Sequence, residues 1–255
     1  MQLNPVAGAE GKVFVTEAGY FSNQGLYALS ADDGALMWNL NYGSVRSVNP
    51  PAYSAGTVYI QTVNHSTDTY LRAYSATNGS LVFQSPHAAQ WEQYYAPTVF
   101  DNTVYVNGGY YGGMYAFDAI TGSQRWYATL NQYDQWTPAV SNVHAYAYVG
   151  ESCSGCANAG LTAIDRLTGS KLFTIYDPGF VWNGWSMNQA PVLGEQNDVL
   201  AINGGRLISF DLGAQAIRWQ VSGGFTNQPS IAKGAIYTVS AGALSVRDEA
   251  TGAPL

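Results

Sequence analysis

Met114-Tyr115-Ala116-Phe117-Asp118-Ala119-Ile120-Thr121-Gly122, followed four residues later by Trp126, decides the fold because it recurs along the chain. The same pattern runs from Leu26 to Gly34, from Leu71 to Gly79, from Leu161 to Gly169 and from Leu244 to Gly252, with a shortened version at Leu207–Asp211. Successive anchors lie 45, 43, 47, 46 and 37 residues apart. A small residue sits two places after each anchor, at Ala28, Ala73, Ala116 and Ala163, replaced by Ser209 and Val246 in the last two units. An aromatic follows at a fixed distance: Trp38, Phe83, Trp126, Phe173 and Trp219.

A proline opens each unit, at Pro5, Pro51, Pro97, Pro138, Pro191 and Pro229. A turn and a β-branched or aromatic run come next, as in Gly56-Thr57-Val58-Tyr59-Ile60 and Asn102-Thr103-Val104-Tyr105-Val106. Alternation and turn residues of this kind predict strands. Each unit reads as four short strands: A after the proline, B with the Val-Tyr-Val type run, C with the anchor, and D ending in the aromatic. A repeat of about 40–50 residues built from four strands indicates a β-propeller, in which neighbouring blades bury one another's faces. The expected fold is all-β, a single propeller domain over residues 1–255 with about six blades. Trp38, Phe83, Trp126, Phe173 and Trp219 are expected to be structural, packing between blades against the small residue and the glycine turn.

Composition agrees. The chain of 255 residues is 47% apolar, with 19 Tyr, 7 Trp and 28 Gly. Charged residues are 11%, against about 25% in ordinary soluble domains. The net charge of −7 argues against nucleic acid, whose phosphates are neutralised by Lys and Arg. It argues equally against anionic membrane surfaces. No apolar run reaches the length of a membrane span, and Met1-Gln2-Leu3-Asn4-Pro5 does not read as a signal peptide.

The pattern Ala-x-Asp-x-x-Thr-Gly-x-x-x-Trp, clearest at Ala116, Asp118, Thr121, Gly122 and Trp126, resembles the PQQ-like β-propeller repeat family over essentially the whole chain. That family includes quinoprotein alcohol dehydrogenases and a non-catalytic outer-membrane assembly lipoprotein. The resemblance implies a fold more firmly than a function, because one fold hosts many activities. The dehydrogenases combine eight blades, a calcium ion, a catalytic Asp and often a vicinal Cys-Cys disulfide. Here there are about six repeats and no adjacent cysteines, and no matching carboxylate and amide cluster is readable. No cofactor is therefore expected; PQQ with calcium stays as the alternative. No metal ligands and no catalytic residues are assigned.

Cys153 and Cys156 lie in a Gly-rich stretch between strands. A local disulfide is expected there rather than a redox motif, whose thiols usually sit at a helix N-terminus. A disulfide accords with a secreted or periplasmic location. His65, His87 and His144 form no recognisable catalytic pattern.

The connections divide into two sets. The A–B and C–D turns are short. The D–A and B–C connections are long and rich in aromatics and amides, the composition of surfaces that hold function on a rigid scaffold. Ligand contact is expected there from Tyr42, Trp91, Tyr94, Tyr95, Tyr110, Tyr111, Tyr133, Trp136, Trp182 and Trp185. Aromatic rings beside Asn and Gln suit a neutral polar ligand, a glycan being favoured, and equally a protein partner. The alternative for any of these rings is packing that closes the loops on each other. Three functions compete: a non-catalytic binding propeller, a protein-interaction scaffold, and a PQQ-dependent or polysaccharide-active enzyme.

The sixth unit reaches Leu255 before its D strand, and no spare strand is read ahead of Pro5. The last blade is thus expected to lack its outer strand, leaving an edge open to chain–chain pairing. The alternative is a piece of a seven- or eight-bladed ring.

Overall fold

Alternating side chains and positive-φ glycines at the turns produce a computed structural model built of strands, with no helix among the described residues. Those residues are 2–19, 22–45, 47–63, 69–89, 95–108, 112–130, 137–150, 159–182 and 190–255. The strands fall into six consecutive antiparallel sheets. The first holds β1 (Gln2–Leu3), β2 (Ala7–Ala9), β3 (Lys12–Ala18), β4 (Ser22–Ser30) and β5 (Leu36–Val45). The second holds β6 (Ser47–Val48), β7 (Ala52–Ser54), β8 (Thr57–Val63), β9 (Thr69–Ser75) and β10 (Leu81–His87). The third is β11 (Thr98–Phe100), β12 (Thr103–Asn107), β13 (Gly113–Asp118) and β14 (Gln124–Thr129). The fourth is β15 (Ala139–Val140), β16 (His144–Val149), β17 (Gly160–Asp165) and β18 (Lys171–Tyr176). The fifth is β19 (Val192–Leu193), β20 (Asp198–Asn203), β21 (Arg206–Asp211) and β22 (Ala216–Ser222). The sixth has three strands, β23 (Phe225–Ala232), β24 (Ala235–Ser240) and β25 (Ala243–Asp248). This is the β-propeller blade plan, with Pro229 inside β23 and β6 lying ahead of Pro51 in the second sheet.

Two compact units divide the chain, Met1–Thr129 with the first three sheets and Leu130–Leu255 with the last three. In the first unit, Phe14, Leu26 and Ala28 pack with Val58, Ile60 and Tyr74 of the next sheet. Tyr59, Leu71 and Phe83 pack in turn with Val104, Tyr115 and Phe117. In the second unit, Tyr148, Leu161 and Ala163 meet Val199, Ala201 and Phe210. Leu200, Leu207 and Phe225 meet Ile236.

The signature aromatics pair across the ladder with the small residue: Trp38 with Ala28, Phe83 with Ala73, Trp126 with Ala116, Phe173 with Ala163 and Trp219 with Ser209. The register shifts beside each of these pairs. Such a bulge bends the strand and re-aims the side chain. Trp38 Nε1 donates to Ala76 O at 3.1 Å, and Trp219 Nε1 donates to Glu249 O at 3.0 Å, each in the following sheet. Two sequence expectations need correction here. The aromatic sits near the start of strand D, not at its end, because β5, β10, β14, β18 and β22 run on toward the next unit. A strand does precede Pro5: β1 pairs Gln2 with Ala18 and Leu3 with Glu17, since β3 extends beyond β2 and leaves backbone groups to satisfy.

The Asp-x-x-Thr-Gly turn has a local cause. Asp118 Oδ1 accepts the N–H groups of Ile120 and Thr121 and the Thr121 hydroxyl, while Gly122 N donates to Asp118 O from φ 74. Asp165 and Asp248 repeat the bonds to Thr168 and Thr251.

In the sixth sheet the C–D turn brings Glu249 into the interior beside Asp198, both fully buried. Glu249 Oε1 accepts from the N–H groups of Glu195 at 2.5 Å and Gln196 at 3.1 Å. Asp198 Oδ2 takes Ser209 Oγ at 2.7 Å and faces Arg218 at 3.5 Å. Burial, then the neighbouring Asp198, holds the Glu249 carboxyl above the usual carboxylate range. A group with a raised folded pKa contributes stability that is lost as pH rises through that value. The Glu249 contribution to stability is therefore expected to fall as pH rises above the unfolded glutamate value of about 4.3, and the difference between parent and Glu249→Gln in urea unfolding across pH measures it.

Candidate functional site

The B strands end, and the C strands begin, where the long D–A and B–C connections emerge. Buried amides finish these strands and hold the loop backbones. Gln24 Oε1 accepts Val48 N at 2.7 Å, and its Nε2 donates to Gly19 O at 2.8 Å. Asn203 Oδ1 accepts Val181 N at 2.7 Å while its Nδ2 donates to Val181 O at 2.9 Å, clamping one loop residue from both sides. Gln61 Nε2 lies 2.8 Å from His87 Nε2 and 3.1 Å from Asn107 O. An amide nitrogen only donates, so His87 Nε2 accepts and the ring is the neutral Nδ1–H tautomer.

His87 is 7% exposed between Tyr115 and Phe117, with ring centroids at 5.2 and 5.7 Å. Burial pushes its pKa down to about 4. Unfolded chains protonate near pH 6.5, so the unfolded state binds more protons between pH 6.5 and 4 and stability falls as pH falls through that window. An NMR titration is expected to find the His87 ring still neutral at pH 5.5.

In the second unit the loop after β18 turns at Asp177-Pro178-Gly179. Asp177 is fully buried. Arg206, at the start of β21, holds it with two bonds, Nη1 to Oδ1 at 3.1 Å and Nη2 to Oδ2 at 2.9 Å. The Tyr148 hydroxyl donates to Oδ2, and Gly179 N donates to Oδ1 at 2.9 Å. Arg206 also donates to Gly179 O at 2.5 Å and Gln220 Oε1 at 2.7 Å. Burial raises the Asp177 pKa, but the Arg206 and Tyr148 hydrogen bonds outweigh it and hold the carboxyl below its ordinary range. The same burial and the carboxylate push the Tyr148 phenol well up. Phe180 fits beneath because position 150 is glycine: a Cβ there would lie 2.1 Å from its ring.

Three of the sequence-predicted ligand residues fall among those described. Tyr42 is half-buried, its ring 6.4 Å from Tyr74 and its face 5.7 Å from the Arg72 guanidinium. Burial and Tyr74 push its hydroxyl pKa up. Tyr95 is half-buried, with its pKa pushed up to about 12 by burial. Trp182 packs against the core that holds Tyr148 and Phe180. Tyr42 and Tyr95 belong to the first unit and Trp182 to the second. Trp91, Tyr94, Tyr110, Tyr111, Tyr133, Trp136 and Trp185, with Cys153 and Cys156, lie outside the described residues.

Sequence reading missed Tyr148, Asp177, Arg206, Asn203, Gln24 and Gln61. The only signal at this cluster was the Asp-Pro-Gly turn at 177–179. Among the described residues no three His, Cys, Asp or Glu side chains gather as metal ligands. Asp177, a buried carboxylate among the described residues of the second unit, has both oxygens engaged by Arg206, Tyr148 and Gly179. That donor set does not fit a calcium–quinone centre.

A family model described as outer membrane protein assembly factor BamB matches residues 3–93 and 73–255. BamB from Moraxella catarrhalis has a similar structure, with TM-score 0.65 and 19% identity over 95% of this chain and 68% of that one. A quinohemoprotein alcohol dehydrogenase from Comamonas testosteroni aligns with TM-score 0.68 and 16% identity over 98% of this chain and 58% of its own. The computationally designed protein Ika8 aligns with TM-score 0.70 and 16% identity, over 99% and 73% of the two chains. No curated protein sequence matches.

Proposed function

The chain belongs to the PQQ-repeat family of the outer membrane protein assembly factor BamB, and from that membership we propose that it is a non-catalytic binding propeller of the cell envelope whose D–A and B–C loops hold a protein partner. The observation that carries this reading is how the loop end spends its polar groups. In the second unit Asp177, Arg206 and Asn203 are engaged in holding backbone, which makes a stiff platform without leaving an activated nucleophile or base among them. A stiff platform lowers the ordering cost of binding an extended segment. Val181, clamped at both its N–H and its C=O, still exposes 41% of its surface on that platform.

The test places a photo-crosslinking residue at Val181 on the loop end of the second unit, and at exposed Leu167 in the C–D turn of the same unit, in envelope-bearing cells. Crosslinks to a defined protein from Val181 but not from Leu167 are expected. Equal crosslinking from Leu167 would remove the assignment to this end. A second reading, a neutral glycan stacked on the loop aromatics, is favoured by their Tyr, Trp, Asn and Gln composition. A defined hit on a glycan array that Trp185→Ala abolishes would put that reading first.

A further inference from the structure

The turns of the fifth and sixth sheets are joined by two glutamates that bond in opposite directions. Glu249, in the C–D turn of the sixth sheet, accepts the N–H groups of Glu195 and Gln196 in the A–B turn of the fifth. Glu195 in turn accepts the N–H groups of Gly234 at 2.8 Å and Lys233 at 3.3 Å, in the A–B turn of the sixth. Glu195 is exposed, whereas Glu249 is fully buried beside Asp198.

The two buried carboxyls each keep one oxygen that no group donates to. Asp198 Oδ1 and Glu249 Oε2 are out of contact with water and have no hydrogen-bond partner among the described residues. The carboxyls share one small volume: a Cβ at Gly194 would lie 2.0 Å from Asp198 Oδ1 and 2.6 Å from Glu249 Oε1. Positive charge is scarce around them. Arg218 Nη1 is 3.5 Å from Asp198 Oδ2, but the same guanidinium bonds Asp211 Oδ2 at 2.9 Å and Gln196 O at 3.0 Å. Lys233 is exposed and contributes its backbone N–H to Glu195. The other charged groups of these strands and turns are engaged locally. Asp211 accepts Gly213 N and Ala214 N, Asp248 holds Thr251, and Arg247 bonds Gly252 O and lies over the Phe225 ring.

Two adjacent carboxylates that share part of one guanidinium do not both stay ionised away from water. A protonated carboxyl donates a hydrogen bond where a carboxylate only accepts. A single proton between Oδ1 and Oε2 therefore satisfies both orphan oxygens at once. Burial first, and after it the charge of Asp198 and a hydrogen bond with it, favour the protonated form of Glu249 against the pull of the Glu195 N–H. We propose that Asp198 and Glu249 share one proton in the folded chain, and that this proton latches the sixth sheet to the fifth. Its loss puts a second negative charge in the interior. Moving the Glu249 turn out to water relieves that charge, which opens the sixth sheet and leaves the fifth folded. Because the folded form holds the proton more tightly than the unfolded chain, the latch is closed at low pH and opens as pH rises.

The test follows the carboxyl carbons of Asp198 and Glu249 by NMR in the whole chain, together with amide exchange corrected for its intrinsic pH dependence. The two resonances are expected to move together, in steps that belong to the pair. As the shared proton leaves, amides of β24 and β25 are expected to lose at least about tenfold more protection than those of β20 and β21. Glu249→Gln and Asp198→Asn each replace the shared proton by an amide N–H that does not titrate. Each is expected to hold the protection of β24 and β25 constant over the same pH range, and either one, if the other fails to fold, carries the comparison. Carboxyls that titrate independently at ordinary values overturn the proposal. So does exchange that rises equally in both sheets, or a pH response that survives the substitutions. None of these outcomes depends on what the loop end binds.

Discussion

Arg206→Met is expected to cost about 3–5 kcal/mol of unfolding free energy at pH 7, because it leaves the Asp177 carboxylate fully buried without its counter-charge. The size follows from the bidentate contact, with 3.1 and 2.9 Å bonds to a side chain that has no access to water. The pH dependence gives the cause its signature. In the parent chain the Asp177 pKa is depressed, so the pair contributes above the unfolded aspartate pKa and is lost as pH falls through the folded value. Without Arg206, burial dominates and the carboxyl takes up a proton instead of remaining charged. The penalty is therefore expected to be largest near pH 7–8 and to shrink toward pH 4. Urea unfolding of parent and variant at pH 7.5 and 4.5 measures it. A penalty independent of pH would mean that the loss is one of packing. The double variant Asp177→Asn with Arg206→Met is expected to recover part of the loss at neutral pH, since the buried charge is then gone.

Gly122→Ala is expected to destabilise by about 2–3 kcal/mol more than Gly34→Ala. The two positions share a backbone conformation, φ 74 and 72, so the strain of placing an L side chain in the left-handed region, about 1–2 kcal/mol, is common to both. They differ in what the new methyl group meets. At Gly122 it would lie 2.4 Å from the Phe83 ring and 2.6 Å from Ser85 Oγ, which donates to Gly122 O at 2.5 Å. At Gly34 it meets nothing within 4 Å. Paired thermal and denaturant unfolding of the two variants isolates the energy of one blade-to-blade contact. Equal losses would show that the aromatic seat carries no stability of its own.

Both predictions bear on what could be read before the fold was known. The aromatic, the small residue opposite it and the glycine turn were legible because they repeat at constant offsets within each unit. The Asp-x-x-Thr-Gly turn was legible for the same reason, since its hydrogen bonds span only two to four residues. The Asp177 cluster was not. Tyr148, Asp177 and Arg206 are each 29 residues from the next, they occur once, and neighbouring sheets bring them together. Gln24, Gln61 and Asn203 were equally silent, because an amide in a strand looks the same whether it faces water or pins a loop. Tyr42 and Trp182 were read as contact residues from composition. The structure places both half-buried against core side chains, a distinction that composition does not contain.

What the amino-acid sequence by itself determined is the blade: four short strands, the recurring aromatic and the glycine turn. Each depends on alternation and on contacts within a few dozen residues. What only the tertiary structure decided is which polar groups are spent on holding loops and which carboxyls are buried. Those outcomes depend on which sheet covers which. Burial sets both the pKa of a side chain and the cost of leaving it unpaired, and it is a property of the packed neighbours, which a pattern along one chain does not encode.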